Sequence, residues 1–451
     1  MPKSLPYRET LSGSTLRSAT GEGMRADRSA LTSVTIGPRA HEVGPDTLVV
    51  IFLRGGADGL NIVVPYGDDD YYRLRPTLAI PKAKHSQRSA KECVLPLDDF
   101  FGLHPALSPL WPAWREGQLA FVHAIGSGDH TRSHFQAMAA MERGLAEDAG
   151  GAASGWLARH LLTTETKEVA PLRAVAVSDT LPESLRGAPG ATVLQSLSDF
   201  SLSVAYSLPT GSHNRVFHRE LQAKRLSALQ DTLHRMYDMA GAQSSEERTL
   251  MQAGTASLKA MEAIHALDPE HYRPEHGAIY PKDDIGHGLE QVACLIKGRI
   301  GLEVACLDMT GWDTHVEQGG AVGWQASRLS ALAKALAAFL CDLGPLTNGV
   351  TVVVMTEFGR RAYENAAGGT DHGRAGVMMV MGGGIRGGKV YAKWPGLQSE
   401  RLEGPGDLRV TTDYRDALAD ILLHRLRNAH LDSVFPNFEP HLLGLSVPKA
   451  I

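Results

Sequence analysis

Cysteine is scarce. Cys93, Cys294, Cys306 and Cys341 are the whole set in 451 residues, and no two form a C-x-x-C pair. That excludes a zinc ribbon and a thioredoxin-like motif. Cys294 and Cys306 fall in apolar stretches and read as small buried hydrophobes, so no disulfide framework is implied. Positive charge is not in excess either. The net charge of -5 leaves no basic footprint for nucleic acid. No apolar run approaches the roughly 18 residues of a membrane-crossing helix, so no transmembrane segment is expected. The first 44 residues lack a hydrophobic h-region and are polar, rich in Ser, Thr and Gly. They read as a flexible leader and not as a signal peptide. A cytoplasmic location is expected for the sequence as it stands, and a periplasmic or exported one if an export signal has been lost or replaced. There are no internal repeats, and oligomeric state leaves no mark in the sequence.

What is present is an ordinary balance, 43% hydrophobic and 21% charged, with nineteen histidines. Several of these sit beside Asp or Gly. Near-continuous apolar runs recur: "TLVVIFL" (47–53), "LAFVHAI" (119–125), "RAVAV" (173–177), "LEVACLD" (302–308), "VTVVVMT" (350–356) and "GVMMVM" (376–381). Such runs fit strands buried on both faces of a parallel or mostly parallel sheet. Helical patterns alternate with them, among them "HFQAMAAMERGL", "HGLEQVACLIKGRI" and "GWQASRLSALAKALAAFLCDLG". The alternation predicts a doubly wound α/β domain over 45–451 with helices on both faces. The segment from about 212 to 270 is almost all helix former, broken at "AGAQSSEE". It predicts a helical pair inserted between strands, either a lid or a cover on the sheet's flank.

Ligands of open α/β sheets bind beyond the carboxyl ends of the strands. The first run is followed by "RGGADGLN", which carries Arg54, Asp58 and Asn61. The second leads to "GSGDHTRSHF", with Thr131, Arg132, Ser133 and His134 where a helix begins. The fourth leads to "DMTGWDTH" with Asp313 and His315, the fifth to Glu357, and "GTDHG" with Asp371 and His372 precedes the sixth. Any one of these reads equally well as a turn or a helix cap. Recurrence at four strands favours a metal site formed by Asp58, Asp313, His315, Glu357, Asp371 and His372. Mixed carboxylate and imidazole ligands suit zinc first, with manganese, magnesium or iron as alternatives. Six groups are enough for two divalent ions about 3.5–4 Å apart, which clamp a transferring phosphoryl or sulfuryl group. Ser133, with Thr131 as the alternative, is the candidate hydroxyl nucleophile at the positive end of a helix, and Arg132 the candidate partner for the ester oxygens.

The phrases "FLRGGADGLNIVVPYGDDDYYRLRP", "HTRSHFQAM", "GWLARHL", "GWDTHVEQGG", "TEFGRRAYENAAGGTDHGRAGVMMVMGGGIRGGKVYAKWPGL" and "TTDYRDALADIL" span residue 47 to near the C-terminus. In order and wording they resemble the bacterial family known as domain of unknown function 1501, grouped with the alkaline phosphatase and sulfatase superfamily. The resemblance implies an alkaline phosphatase-like fold. It implies Asp58 as the first metal ligand, Asp313 and His315 as a pair on the other ion, and His372 as the late histidine. Asp371 is implied as a ligand or as the group that orients His372. Two positions depart from the superfamily pattern. Phe358 follows Glu357 where a histidine is common, and the nucleophile phrase leaves Ser133, Thr131 and His134 in competition. Many family members begin with a twin-arginine export signal, and this chain shows none. The expected activity is metal-dependent hydrolysis of a small anionic phosphate or sulfate ester. The alternatives are a non-catalytic protein binding a metal or an anionic glycan, and a phospho- or sulfotransferase or mutase.

Overall fold

The computed structural model describes residues 46–82, 92–146, 153–164, 170–200, 215–237 and 244–449. The leader expected over 1–44, and parts of the helical insertion, lie outside the described residues. All six apolar runs form strands. In chain order the strands are β1 (Thr47–Leu53), β2 (Val63–Val64), β3 (Leu95–Pro96), β4 (Gly102–Leu103), β5 (Leu119–Gly126), β6 (Ala174–Val177), β7 (Ala191–Leu194), β8 (Val304–Met309), β9 (Val350–Met355), β10 (Gly376–Gly382), β11 (Lys389–Tyr391) and β12 (Thr412–Asp413).

The main sheet has the order β11-β5-β10-β9-β1-β8-β6-β7, with β12 also on β5. Its pairings are parallel except for those of β10, which runs antiparallel to both β5 and β9. β2, β4 and β3 form a separate three-stranded sheet. β1 shows why the runs are apolar throughout. Val49, Ile51 and Leu53 enter one hydrophobic core, while Leu48, Val50 and Phe52 enter another on the opposite face. Side chains alternate between two buried faces, so apolar residues fill the strands, and buried polar exceptions such as His123 and Thr351 are hydrogen-bonded.

Helices cover each face. Trp324–Leu343 puts Leu329, Leu332, Leu336 and Phe339 into the first core at helical spacing. Along with the following turn, to Gly349, it is long and apolar enough to cross a membrane, yet half of that window is buried inside the protein. A core helix passes the same test of length and composition. Tyr414–His424 covers the other face, and Asp413 caps it by accepting from the Arg415 N–H at 2.9 Å. In the insertion, Arg215–Met236 and Ser245–Leu267 are helical, and Ser244 and Glu247 form a capping box on the second. That second helix buries Ala260 and Ile264 in the first core, so it is a cover on the sheet's flank along at least this part.

The reversal of β10 has a direct consequence. The parallel strands deliver their carboxyl ends to one rim, and β10 delivers its amino end to the same rim. The segment that carries Asp371 and His372 therefore meets the loops that follow β1, β5, β8 and β9.

Candidate metal centre

Two glycines let these loops touch. Gly55, after β1, has φ 121°, and a Cβ there would lie 2.6 Å from the Asp313 nitrogen. A Cβ on Gly369 would lie 2.3 Å from the His315 carbonyl carbon. Side chains larger than hydrogen would push the loop after β8 away from both neighbours.

At their junction three imidazoles surround one carboxylate. His315 Nε2 lies 2.9 Å from His372 Nε2. Asp313 Oδ1 is 3.1 Å from the former and 3.0 Å from the latter. His134 Nε2 faces Asp313 Oδ2 at 3.5 Å. His134, Asp313 and His372 each offer an atom within 4.8 Å of the other two, a spacing that can hold a metal ion. Tetrahedral ligands at about 2.0–2.1 Å from zinc sit about 3.4 Å apart, so this triad is of the size a metal takes, and His315, outside the triad, reaches Asp313 and His372.

The opposite edge of each ring decides what the Nε2 atoms carry. His134 Nδ1 is 2.7 Å from Glu357 Oε1, His315 Nδ1 is 3.2 Å from Asp371 Oδ1, and His372 Nδ1 is 2.8 Å from the Arg132 carbonyl oxygen. All three partners are acceptors, so a proton on each Nδ1 would be satisfied and would leave each Nε2 lone pair for a cation, whereas in the absence of a cation Asp313 can accept from Nε2 of His315 and His372. The Nε2 of His134 is buried and has no hydrogen-bond partner. In that tautomer lone pairs from three rings face the carboxylate, with Arg360 Nη2 donating to Asp313 Oδ1 at 2.7 Å. Acceptors gathered without donors repel, and a cation relieves that repulsion.

The electrostatics are graded. Burial would raise the Asp313 pKa, but Arg360 and the histidines outweigh it and hold it at about 2. Its hydrogen bond to Glu357 raises His134 above the ordinary histidine value, against the effect of burial. Burial lowers the His372 pKa below the ordinary histidine value, against the hydrogen bonds with Asp313 and the Arg132 carbonyl that raise it. A hydrogen bond from Asn365 leads the causes that lower Asp371, with His315 and Arg361 adding to it.

The structure therefore brings Asp313, His315 and His372 together as candidate ligands and places Glu357 and Asp371 one shell out. Asp371 orients His315, not His372. Glu357 accepts from His134, from the Gly55 N–H at 2.8 Å and from the Thr356 hydroxyl at 2.9 Å. The imidazole beside Glu357 comes from position 134. Phe358 is instead an apolar floor, its ring 4.9 Å from those of both His134 and His372. His134, weighed in the sequence only as a competitor for the nucleophile position, was not among the ligands expected there. The signal available was its place at the start of the helix His134–Glu142 after β5.

Asp58 is not in this cluster. Both its oxygens are held by the fork of Arg75, at 2.6 and 2.9 Å, and Gln318 Nε2 donates at 2.6 Å. Arg75 spends its remaining donors on Asn61 Oδ1 and on the carbonyls of Arg361 and Ala362. Gln318 Oε1 accepts from the hydroxyls of Thr314 and Thr370, neighbours of the candidate ligands. This buried network supports the loops of the centre from beneath.

The three catalytic candidates divide. Thr131 Oγ1 donates to Gln136 and accepts from the Ser133 N–H, so it stabilises the turn. Ser133 occupies the cap position next to His134 but makes no side-chain cap bond, which leaves its hydroxyl uncommitted. The Arg132 side chain is paired with buried Asp407, and its contribution at the centre is its carbonyl. A cleft of about 1090 Å³ lies elsewhere, lined by Asp179, Gln195, Asp283, Asp308 and Arg328 among others, and none of the cluster's residues lines it.

A family model described as "Protein of unknown function (DUF1501)" matches residues 45–435. No curated protein matches the chain.

Proposed function

The chain belongs to the DUF1501 protein family, and we propose that it is a metal-dependent hydrolase of phosphate or sulfate esters built around one divalent ion. The observation that carries the reading is the convergence of Nε2 of His134, His315 and His372 on Asp313, with every Nδ1 facing an acceptor. Zinc fits these ligands, and iron or manganese fits them as well. One ion is proposed where the sequence suggested two, because the guanidinium of Arg75 neutralises Asp58. An alkaline phosphatase-like architecture is part of the same proposal, supported by acids and imidazoles gathered at one rim of a mainly parallel sheet.

His134, Asp313, His315 and His372 would hold the ion, which supplies Lewis acidity toward a phosphoryl or sulfuryl oxygen. Ser133 supplies the attacking hydroxyl. Its oxygen forms a bond to phosphorus or sulfur, the ester oxygen leaves with a proton, and water cleaves the resulting seryl ester. Free N–H groups in the first turn of His134–Glu142 stabilise negative charge as it develops. Glu357, Asp371 and the Arg132 carbonyl hold the rings in the required tautomer.

Elemental analysis of the purified protein, with anomalous diffraction to locate the ion, tests the proposal. One transition metal per chain beside Asp313 is expected, together with turnover of an aryl phosphate or sulfate that Ser133→Ala abolishes. Absence of metal after soaking would remove the reading. A second reading, metal or anion binding without turnover, is favoured by one observation: Arg132 Nη2 is paired with buried Asp407, which competes with an ester anion for the guanidinium. Bound metal with no turnover across an ester panel would select it.

A further inference from the structure

Three neighbouring parallel strands end at one cleft. β7, β6 and β8 lie side by side in the sheet, and residues at their carboxyl ends, among them Asp179, Gln195 and Asp308, line its space of about 1090 Å³. The other walls are the helix Asp284–Lys297, the turn that starts at Pro269, and Arg328 on the helix Trp324–Leu343. These walls are tied together. Gln195 Nε2 donates to Asp179 Oδ1 at 2.8 Å, the Leu197 N–H to Gln291 Oε1 at 2.7 Å, and Arg54 Nε to Asp308 Oδ1 at 3.0 Å. The cleft is thus preformed, at the place where open α/β sheets bind ligands. No candidate metal ligand lines it, so it is independent of the metal reading.

Its polar groups make opposite demands. Asp179, Glu270, Asp283, Asp284, Glu290 and Asp308 stand against Arg273 and Arg328. Arg328 forms no ion pair with any described residue, and its Nε is buried without a hydrogen-bond partner. Gly311 makes room for it, since a Cβ there would lie 3.3 Å from that Nε. A buried donor without an acceptor is costly, and a ligand oxygen would relieve it. The acids require donors instead. An ammonium only donates and an anion only accepts, whereas a hydroxyl does both at one oxygen. The excess of acids also repels anions. Leu197, Leu307 and Met309 add apolar lining, against which the C–H groups of a sugar ring can pack. We propose that the cleft binds an uncharged polyhydroxylated molecule, a saccharide, whose hydroxyls donate to the carboxylates and accept from Arg328.

Calorimetric titration of the full chain tests this. The probes are glucose, galactose, mannose, N-acetylglucosamine, cellobiose and maltose, with spermidine and glucuronate beside them. Saturable binding of at least one uncharged sugar is expected, tighter than that of glucuronate. Arg328→Met should weaken it about tenfold or more, and Asp284→Asn should weaken it less. Neither variant should alter metal content. Arg328 has no polar partner to lose, so its variant should melt close to wild type. A crystal soaked with the bound sugar should show it against Arg328. Binding of spermidine alone would make the cleft a cation site, and preference for glucuronate over glucose an anion site. Either result would overturn the proposal. Sugar affinity untouched by Arg328→Met, or no binding by any sugar of the panel, would overturn it as well.

Discussion

Asp58 and Asp313 occupy equivalent places. Each follows a parallel strand of the central sheet in a glycine-containing loop, and each lies within reach of an arginine. Their surroundings differ in one respect, the balance of donors and acceptors. Around Asp58 the count closes: Arg75 uses all its N–H groups, and Asn61, Gln318, Thr314 and Thr370 pair with them or with one another. Around Asp313, with the ring protons on Nδ1, three imidazole lone pairs and the carboxylate would meet one guanidinium donor. A buried network with matched partners is structural, whereas the half-exposed acceptors around Asp313 are open to water or a cation. Acidic residues after strands are thus not interchangeable, and counting protons separates them.

The largest expected effect breaks the comparison at its open end. Asp313→Ala should lower metal affinity at least about a thousandfold, beyond the 10–100-fold that outer partners of a metal carry, and turnover should vanish. Arg360 still reaches the carbonyls of Gly55, Gly56, Trp312 and Thr370, so metal-free stability should hold. Thermal melts with and without added zinc check this. Wild type should gain about 2.7 kcal/mol at a hundred times the dissociation constant, and the variant should gain nothing. The closed end should respond in the opposite way. Arg75→Met strands a fully buried carboxylate and should cost about 3–5 kcal/mol of folding stability, read by denaturant unfolding, while metal stoichiometry stays at one. A variant that unfolds no more easily, or that takes up a second ion at Asp58, would show the two acids to be alike after all.

Much of the scaffold was legible in the sequence. The six apolar runs became strands because a sheet covered on both faces admits no polar alternation. Short strands such as "ATVL" at β7 carried too few residues to stand out. The direction of β10 was illegible, since an apolar run reads the same both ways. Asp313, His315, Glu357, Asp371 and His372 could be picked out by their places near strand ends. Their roles could not, because these depend on partners far along the chain. His134 and Glu357 are 223 positions apart, and Asp58 and Gln318 are 260 apart. The Asp58–Arg75 pair is nearer, seventeen positions, yet nothing in "YYRLRP" marks one arginine as buried.

A smaller effect sharpens the comparison from one shell out. Glu357→Gln keeps an acceptor oxygen for the His134 ring proton, and its amide can donate to Thr356, which can in turn donate to the Leu53 carbonyl. Geometry survives and only the charge is lost, so metal affinity should fall about tenfold. Glu357→Ala strands the Gly55 N–H and frees the ring to turn, so the loss should approach about a hundredfold. Equal losses in the two variants, measured by competition with a chelator of known affinity, would mean that charge alone matters and that ring orientation does not.

The smallest effect concerns a matched network that touches no candidate ligand, and its readout is acid stability. Buried Glu303 lies 2.6 Å from Arg173 Nε and 3.0 Å from His160 Nε2. Burial alone would raise its pKa, but these two partners outweigh burial and lower it. A carboxylate whose folded pKa is depressed contributes stability that is fully present above its unfolded value, about 4.3. That contribution disappears as pH falls through the folded value. Glu303→Gln should therefore melt below wild type near neutral pH, with the gap closing as the solution is taken below about pH 4. A gap that widens on acidification would mean that Glu303 is held in its protonated form. The donor and acceptor count that separates Asp58 from Asp313 would then fail at a third acid, where metal plays no part.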